Sequence, residues 1–360
     1  MPAATSSPIP ASLTHLDHAR PLHLDECPGL LQRLAMVGDP RDRRGLQHGL
    51  VGVLAVAAAA VLAGARTVTA IAEWATDAPQ PVLAALDARR DPLTGVRQVP
   101  DEATIRRIFT RIDADLLDAA IGAWLADRLR PPGRRRRRAI AVDGKALRGT
   151  AAGGGHAVHL LAAADHADGA VLAQRDVTCK TNEIPMFQPL LDSLDLAEVV
   201  ITADALHTQR AHAEYLHGRQ ADYVLIVKAN QPSLHAQLVG LGWRQIPVMD
   251  RTRDHARGRI ELRTLKVVTL TGLAFPHAAQ AIQVTRRVRK VGSSRWHTET
   301  VYAVTSLTIR TTSPAHLADY IRGHWTTEAL HHVRDVTFAE DASHARTGNL
   351  PRAMATLLVD

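Results

Sequence analysis

Residues Ala139–Lys145 read AIAVDGK, four apolar residues followed by an aspartate, a glycine and a lysine. An apolar run of this length between polar neighbours predicts a buried β-strand. A second run, Val199–Thr202 (VVIT), leads to Asp204 in the same way. In an open α/β sheet, ligands bind beyond the carboxyl ends of the strands. The two runs therefore predict an α/β fold in which Asp143 and Asp204 are candidate site residues.

Further apolar runs around these two predict the rest of the sheet. The order is β-β-β-α-β-α-β-α, which predicts a mixed sheet with an antiparallel hairpin and with helices on its faces. Asp168-Gly169 is typical of the hairpin turn. The other predicted strands are His156–Ala164, Ala170–Val177 and Tyr223–Val227, and the predicted helices are about Glu183–Leu194, about Gln209–His217 and a segment after Pro232.

The segment at about 250–308 returns to strand-like alternation, as in RIELR over Arg259–Arg263. It lies between the fifth strand and a helical tail that begins near Pro314. We therefore predict a β-rich, basic insertion there, within a catalytic domain that spans residues 139–360.

Residues 29–130 are different, because Ala-rich apolar stretches are interrupted there by pairs such as Asp39-Pro40. We predict an α-helical N-terminal domain over 29–130, a flexible arm over 1–28 and a basic linker over 131–138. Gly49–Ala65 is uncharged, but 17 residues with three glycines favour a buried helix over a membrane span. The N-terminus does not resemble a secretory signal.

Composition narrows the class of protein. The 360 residues are 46% hydrophobic and 22% charged, which excludes a wholly disordered chain. Two cysteines, Cys27 and Cys179, cannot build a disulfide scaffold or a zinc ribbon, and they indicate a reducing, cytoplasmic location. The net charge of +7 indicates an anionic partner.

The positive charge is concentrated in two segments. Residues 130–148 carry a net charge of +7 and residues 251–290 carry +8, so the rest of the chain is net negative. Such a distribution is typical of a protein that binds a polyanion through salt-sensitive phosphate contacts. One run in the first segment is either a DNA contact or a solvated linker, and charge alone leaves both open. The run consists of Arg134, Arg135, Arg136, Arg137 and Arg138.

The two strand-end aspartates suggest metal chemistry. Carboxylates brought together repel each other unless a divalent cation neutralises them, and Mg²⁺ is usually held by one or two carboxylates with waters and phosphate oxygens. The alternative is that each aspartate forms a turn or caps a helix. The residues alone leave these two interpretations open.

A third feature is the predicted helix HWTTEALHH over residues 324–332. His324, Glu328, His331 and His332 fall at i, i+4, i+7 and i+8, along one helix face. The spacing favours a metal site and a histidine-rich surface helix about equally. The sequence lacks the His-Glu-x-x-His motif of metalloproteases.

Several motifs occur in a fixed order along the chain. They are DPRDRRG (39–45), AIAEWA (70–75), AVDGKALRG (141–149), TADALHTQ (202–209), DYVLIVKANQP (222–232), GRIELR (258–263), RGHWTTE (322–328) and DVTFAED (335–341). Together they resemble the ISAS-type insertion-sequence transposases, also called H-repeat-associated proteins. The resemblance covers the chain from about residue 30 to its end.

The resemblance implies a DDE transposase with an RNase H-like mixed-sheet core. Asp143, Asp204 and Glu328 would be the catalytic and metal-binding triad, holding Mg²⁺ or Mn²⁺, with two ions expected. The ions would activate water to cut the phosphodiester at an element end, and the freed 3′-OH would then attack target DNA. The implied partners are DNA and a second copy of the chain in a synaptic homodimer, and no membrane partner is expected.

Four basic or titratable residues near the predicted site are candidates for DNA contact. Lys145, Arg148 and Lys228 either bind phosphates or are merely solvated. His324 stands where the wider transposase class has an arginine, and we group it with them.

The resemblance leaves the activity of this copy open. The family usually continues through another apolar helix, which favours a truncated copy. The alternatives to an active transposase are a non-catalytic DNA-binding remnant and a nuclease that nicks DNA without joining it.

Overall fold

The computed structural model describes residues 29–42, 46–129, 137–147, 150, 158–177, 183–256, 258–336 and 346–358. Residues 326–336 are described by their backbone. The predicted arm over 1–28 therefore lies outside the described residues, as does most of the predicted basic linker.

In the described residues 29–129, six helices form the N-terminal part of the chain. Side chains placed ahead of three of them accept hydrogen bonds from backbone N–H groups of the first turn, as helix caps do. These caps are Thr67, Asp101 and Asp113. The helices are α1 (Leu30–Leu34), α2 (Leu50–Leu62), α3 (Val68–Asp77), α4 (Gln80–Ala85), α5 (Glu102–Arg111) and α6 (Ala114–Ala126).

Helix α2 is apolar on all sides and is surrounded by the other N-terminal helices. Ten of its 13 residues are buried, among them Leu54 and Val56. A helix that is hydrophobic all round is stable when its neighbours cover every face. Within the described part of the chain, no helix has the length and apolar character needed to cross a bilayer. The prediction of a buried helix is confirmed.

A nine-stranded mixed sheet forms the centre of the fold after residue 138. Its strand order is β3-β2-β1-β4-β5-β9-β8-β7-β6. Strands β1, β4 and β5 are parallel to one another, and every other neighbouring pair is antiparallel. The strands are β1 (Ala139–Leu147), β2 (Val158–Asp165), β3 (Val171–Val177), β4 (Val200–Ala203), β5 (Asp222–Val227), β6 (Asp250–Ala256), β7 (Arg259–Thr269), β8 (Gln280–Lys290) and β9 (His297–Thr305).

Helices cover both faces of the central strands. One face packs against α7 (Glu183–Leu191), α8 (Arg210–Gly218) and α9 (Pro232–Val239) through a core that contains Ile140, Ile201 and Leu225. The opposite face packs against α10 (Pro314–Val336) through residues that alternate with these, such as Val200 and Val224. The alternation follows from the two-residue period of a strand. The predicted mixed α/β sheet is confirmed.

Two details of the sheet depend on strand pairing and on turns. β1 does not end at Asp143 but continues to Leu147, because its antiparallel ladder with β2 extends beyond its parallel ladder with β4. Ala281–Val304, within the predicted insertion, forms most of two strands, β8 and β9, separated by a turn in which Gly292 has a φ of +83°. The insertion joins the central sheet, because β9 pairs with β5.

The last helix, α11 (Leu350–Leu357), packs against the N-terminal helices. Arg352 forms an ion pair with Asp115 of α6 at 2.6 Å. Asp118 of α6 is buried and accepts a hydrogen bond from the backbone N–H of Gln174 in β3 at 2.6 Å. The end of the described chain is therefore joined to both the helical part and the sheet.

Candidate active site

The register of β1 and β4 brings Asp143 and Asp204 together. Val142 of β1 pairs with Ala203 of β4 at the end of a parallel ladder. Asp143 of β1 and Asp204, the first residue after β4, directly follow this pair. Since neighbouring strands lie about 5 Å apart, the two aspartates are adjacent at the carboxyl end of the ladder.

Both aspartates belong to the α10 face of the sheet. Asp143 is four residues after Ala139 in β1, so both side chains are on the same face, and Ala139 packs in the core beneath α10. Ile140 and Val142 pack on the opposite face. Asp204 is four residues after Val200, which also packs in the core beneath α10. Side chains two apart on a strand share a face. The alternation of side chains along the strands therefore directs the two carboxylates towards α10.

Helix α10 runs in the same direction as β1 and β4. The Tyr320 hydroxyl donates to the carbonyl of Arg137, ahead of β1, at 3.3 Å. One turn later, Nδ1 of His324 lies 3.4 Å from Oγ1 of Thr202 in β4. The four residues from His324 to position 328 advance about 6 Å along the helix, and the two residues from Thr202 to Asp204 advance about the same distance along the strand. The backbone at position 328 therefore lies about level with Asp204, two residues after Thr202.

The turn after β4 is built around Asp204. Oδ1 of Asp204 accepts a hydrogen bond from the N–H of Leu206 at 2.9 Å and begins a 3-10 turn over Ala205–His207. The loop after β5 is joined to this turn, because the Asn230 amide donates to the carbonyl of Ala205. Lys228 is exposed at the start of the same loop. The predicted phosphate contact Lys228 thus lies at the edge of the sheet that carries Asp204.

Of the other lysines and arginines predicted to contact DNA, three lie within the described fold and four lie outside it. Arg137 forms ion pairs with Asp222 and Glu198, and Arg138 lies 3.8 Å from Asp165. Lys145 is 6% exposed. These three residues have roles within the fold, and their contact with DNA stays a prediction. Arg134, Arg135, Arg136 and Arg148 lie outside the described residues.

Glu183 is a buried acid that the sequence patterns did not indicate, and it lies against Gly144, the residue after Asp143. Its Oε1 lies 2.6 Å from Nε2 of His159, and its Oε2 lies 3.3 Å from Nε2 of His207. Burial acts to raise the pKa of the Glu183 carboxyl, but the His207 and His159 imidazoles outweigh it and hold that pKa below its ordinary value. The signal in the sequence was a glutamate at the first position of a predicted helix, which is also an ordinary helix-start residue.

The donors at the site suit a hard divalent cation. Asp143 and Asp204 supply carboxylate oxygens at neighbouring positions, and Mg²⁺ is usually held by one or two carboxylates with waters and phosphate oxygens. Among the described side chains, no set of three or more His, Cys, Asp or Glu residues is arranged to hold a metal. The side chains of Glu328, His331 and His332 lie outside that description, so the predicted triad and the histidine-rich metal site both stay predictions.

His324 of α10 is buried between that helix and the sheet, and its pKa is strongly shifted. It is 8% exposed. Burial lowers its pKa to about 4, although the nearby Asp204 carboxylate acts in the opposite direction. The imidazole is therefore neutral at pH 7.

The His324 shift predicts acid sensitivity of the fold. Below the unfolded pKa near 6.5, the unfolded chain binds a proton that the folded chain does not bind until about pH 4. We expect His324 to contribute up to about 3 kcal/mol to the loss of unfolding free energy as the pH falls from 6.5 to 4, and nothing above that range. The measurement is urea unfolding at several pH values for the wild type, for His324→Gln and for exposed His297→Gln. Identical pH slopes for the wild type and His324→Gln would refute this assignment.

The fold and the paired strand-end aspartates define a mixed α/β protein with a carboxylate site at the carboxyl edge of its sheet. Two family models match the chain: one described as Transposase DDE domain, over residues 134–359, and one described as DDE_Tnp_1-associated, over residues 31–125. The chain belongs to the DDE-domain transposase family. The resemblance drawn from its motifs is confirmed.

Named relatives agree with this family. The chain is 28% identical over 335 residues to YncI of Escherichia coli O157:H7, a candidate transposase, and the match covers 89% of this chain and 83% of that protein. It is 26% identical over 208 residues to YbfD of Escherichia coli K12, an H repeat-associated candidate transposase, covering 57% of this chain and 78% of that one. A piggyBac transposase synaptic complex with hairpin DNA aligns at 12% identity and a TM-score of 0.39, over 97% of this chain and 68% of that chain. A TM-score of this size is too low to establish a shared fold.

Proposed function

We propose that this protein is an active DNA transposase that cuts element ends and joins the freed 3′-OH to target DNA. The observation that carries the proposal is the adjacent pair Asp143 and Asp204 at the end of the β1–β4 ladder, on the sheet face covered by α10. Membership of the DDE-domain family supports the same function.

The proposed core is RNase H-like. In the part β3-β2-β1-β4-β5, the pairs β3–β2 and β2–β1 are antiparallel, and the pairs β1–β4 and β4–β5 are parallel. This topology supports the proposal, as does a helix, α10, that crosses the face on which both aspartates lie. We propose residues 139–360 as the catalytic domain and 29–130 as the helical N-terminal domain, in line with the two matched family models.

Asp143, Asp204 and Glu328 are the residues proposed to hold Mg²⁺ or Mn²⁺, with two ions expected. When bound, divalent cations in such a site lower the pKa of water and neutralise the charge that develops on phosphate oxygens. The chain itself supplies the geometry. The β1–β4 ladder holds two carboxylates at a fixed spacing, and the backbone of α10 brings position 328 level with them.

Other side chains are proposed to hold DNA against this edge. Lys228 is exposed beside the Asp204 turn, where an ammonium group can contact a phosphate. The basic strands of the insertion continue the same sheet away from the site. We propose that DNA is the anionic partner and that a second copy of the chain joins it in a synaptic homodimer.

The proposal is tested with the purified full chain and a plasmid that carries the gene with its native flanking DNA. We expect Mg²⁺- or Mn²⁺-dependent cuts at both flanks and joined products in a target plasmid. Nicking without joining would instead indicate a nuclease. Binding of the flanks with no cut in either metal would indicate a non-catalytic remnant.

The arginine run gives a separate prediction about DNA affinity. We expect replacement of Arg134, Arg135 and Arg136 by glutamine to weaken binding to all DNA sequences about equally. The slope of log affinity against log salt should decrease by about 0.9 for each phosphate that the variant no longer neutralises. Binding assays at several salt concentrations measure this slope. Arg137 is the control, because its ion pairs with Asp222 and Glu198 predict a loss of stability rather than of slope. An unchanged slope in the triple variant would assign the run to a linker.

A further inference from the structure

We propose that Glu183 is a positioning residue for the metal site. Its buried carboxylate holds together the two segments that carry Asp143 and Asp204, and in this way it sets the affinity of that pair for divalent cations. This inference rests on the proposed function, because it deepens the role of the same site.

The first contact of Glu183 is with the backbone of β1 beside Asp143. A Cβ atom built on Gly144 would lie 2.4 Å from Oε1 and 2.9 Å from Oε2 of Glu183. Any side chain at position 144 would therefore displace the carboxylate. The group lies directly against the residue after Asp143, on the sheet face opposite to α10, and glycine at position 144 makes this approach possible.

The second contact is with the turn after β4. His207 ends the 3-10 turn that Asp204 begins, and its Nε2 lies 3.3 Å from Oε2 of Glu183. His207 is 1% exposed, and its ring nitrogens have no hydrogen-bond partner among the described residues. The Glu183 carboxylate lies within ion-pair distance of this buried ring.

His159 of β2 supplies the third contact, at 2.6 Å from Oε1. One carboxylate therefore joins β1 next to Asp143, β2, and the turn next to Asp204. Those two aspartates follow the last pair of the parallel ladder between β1 and β4. A shift of Glu183 would change the spacing of the pair.

The burial of Glu183 suggests that its charge contributes to metal binding as well as to packing. It is 3% exposed at the edge of an apolar core that contains Val142 and Phe187. A buried ion pair is often no more stabilising than apolar side chains of similar volume. A buried negative charge behind the strand that carries Asp143 does, however, add to the attraction of the site for a divalent cation.

The test is the affinity of the full-length chain for Mn²⁺ alone, measured by electron paramagnetic resonance without DNA. We expect Glu183→Gln to weaken Mn²⁺ binding by about tenfold or more, the range seen when a residue that orients a metal ligand is changed. The Mg²⁺ concentration for half-maximal cleavage should rise by a similar factor. A purely structural role would lower the melting temperature and the maximal cleavage rate, but it would leave the metal dependence of folded protein unchanged.

Glu214→Gln is the matched control. Glu214 also pairs with a histidine, His277, at 2.7 Å, but it is exposed on α8. We expect wild-type Mn²⁺ affinity in this variant. Wild-type affinity and Mg²⁺ requirement in Glu183→Gln would overturn the proposal.

Gly144→Ala tests the geometry independently. We expect it to weaken Mn²⁺ binding in the wild-type background and to add little in a Glu183→Ala background, because the clashing carboxylate is then absent. Equal effects in the two backgrounds would contradict the proposal. If Glu183→Gln does not fold, His159→Gln replaces it, with a smaller loss of Mn²⁺ affinity expected and an unchanged affinity counting against the proposal.

Asp143→Asn and Asp204→Asn are measured in the same assays. If both keep wild-type Mn²⁺ binding and cleavage, the proposed function itself fails. If both lose them while Glu183→Gln behaves as the wild type does, the present inference alone fails.

Discussion

Asparagine at position 143 or 204 is expected to reduce cleavage and joining by at least about 100-fold while DNA binding is retained. Each substitution removes one negative oxygen donor and nearly preserves the size of the side chain. The adjacent carboxylates of Asp143 and Asp204 would no longer balance a divalent cation and a phosphate. Loss of an acid from a basic protein should, if anything, strengthen its affinity for DNA.

Glu328→Gln is expected to behave in the same way, because its backbone lies one turn beyond His324, level with the two aspartates. Cleavage of the native flanking DNA in Mg²⁺, together with gel-shift affinity, measures both effects. Asp168→Asn is the control, since Asp168 is exposed in the β2–β3 turn. Full cleavage by the Asp143 or Asp204 variant would remove that residue from the site.

A methyl group at Gly122 is expected to destabilise the whole chain. Gly122 lies in α6, where a Cβ atom would lie 2.0 Å from the carbonyl oxygen of Leu172 in β3. Both sides of this contact are backbone, so relief requires α6 to move away from the sheet. Overpacking of this kind costs about 1–3 kcal/mol, and more when the backbone has to shift.

The measurement is the free energy of unfolding from urea denaturation of Gly122→Ala. Gly218→Ala is the matched control, because Gly218 also lies in a helix, α8, and a Cβ there has nothing within 4 Å. We expect Gly218→Ala to be neutral or to gain up to about 1 kcal/mol in helix propensity. Equal stabilities of the two variants would show that α6 does not need its close approach to β3.

Local patterns were sufficient to predict the elements. The apolar runs at 139–142, 199–202 and 223–227 became β1, β4 and β5, because uninterrupted apolar residues are stable in a strand that is buried on both faces. The motif order was sufficient to identify the family. The places of the two aspartates after those runs made them candidates, and their role stays a proposal.

Pairing between distant segments could not be read from the same patterns. The chain reaches Leu147 in β1 because β2 continues the ladder, although the apolar run stops before Asp143. The split of Ala281–Val304 into β8 and β9 depends on the turn at Gly292. In each case the boundary is set by the partner strand or by the turn, and not by hydrophobicity.

The sequence by itself determined the class of fold and the transposase family, and it made the two aspartates candidates, since these depend on local apolar periodicity and on ordered motifs. Tertiary structure alone decided which face of the sheet the aspartates share, why positions 122 and 144 are glycine, and that Glu183 lies against Gly144. The physical reason is that backbone approach and burial of charge are set by contacts between segments far apart in the chain. Gly144 shows this directly: its missing side chain is explained by a carboxylate from another element, α7.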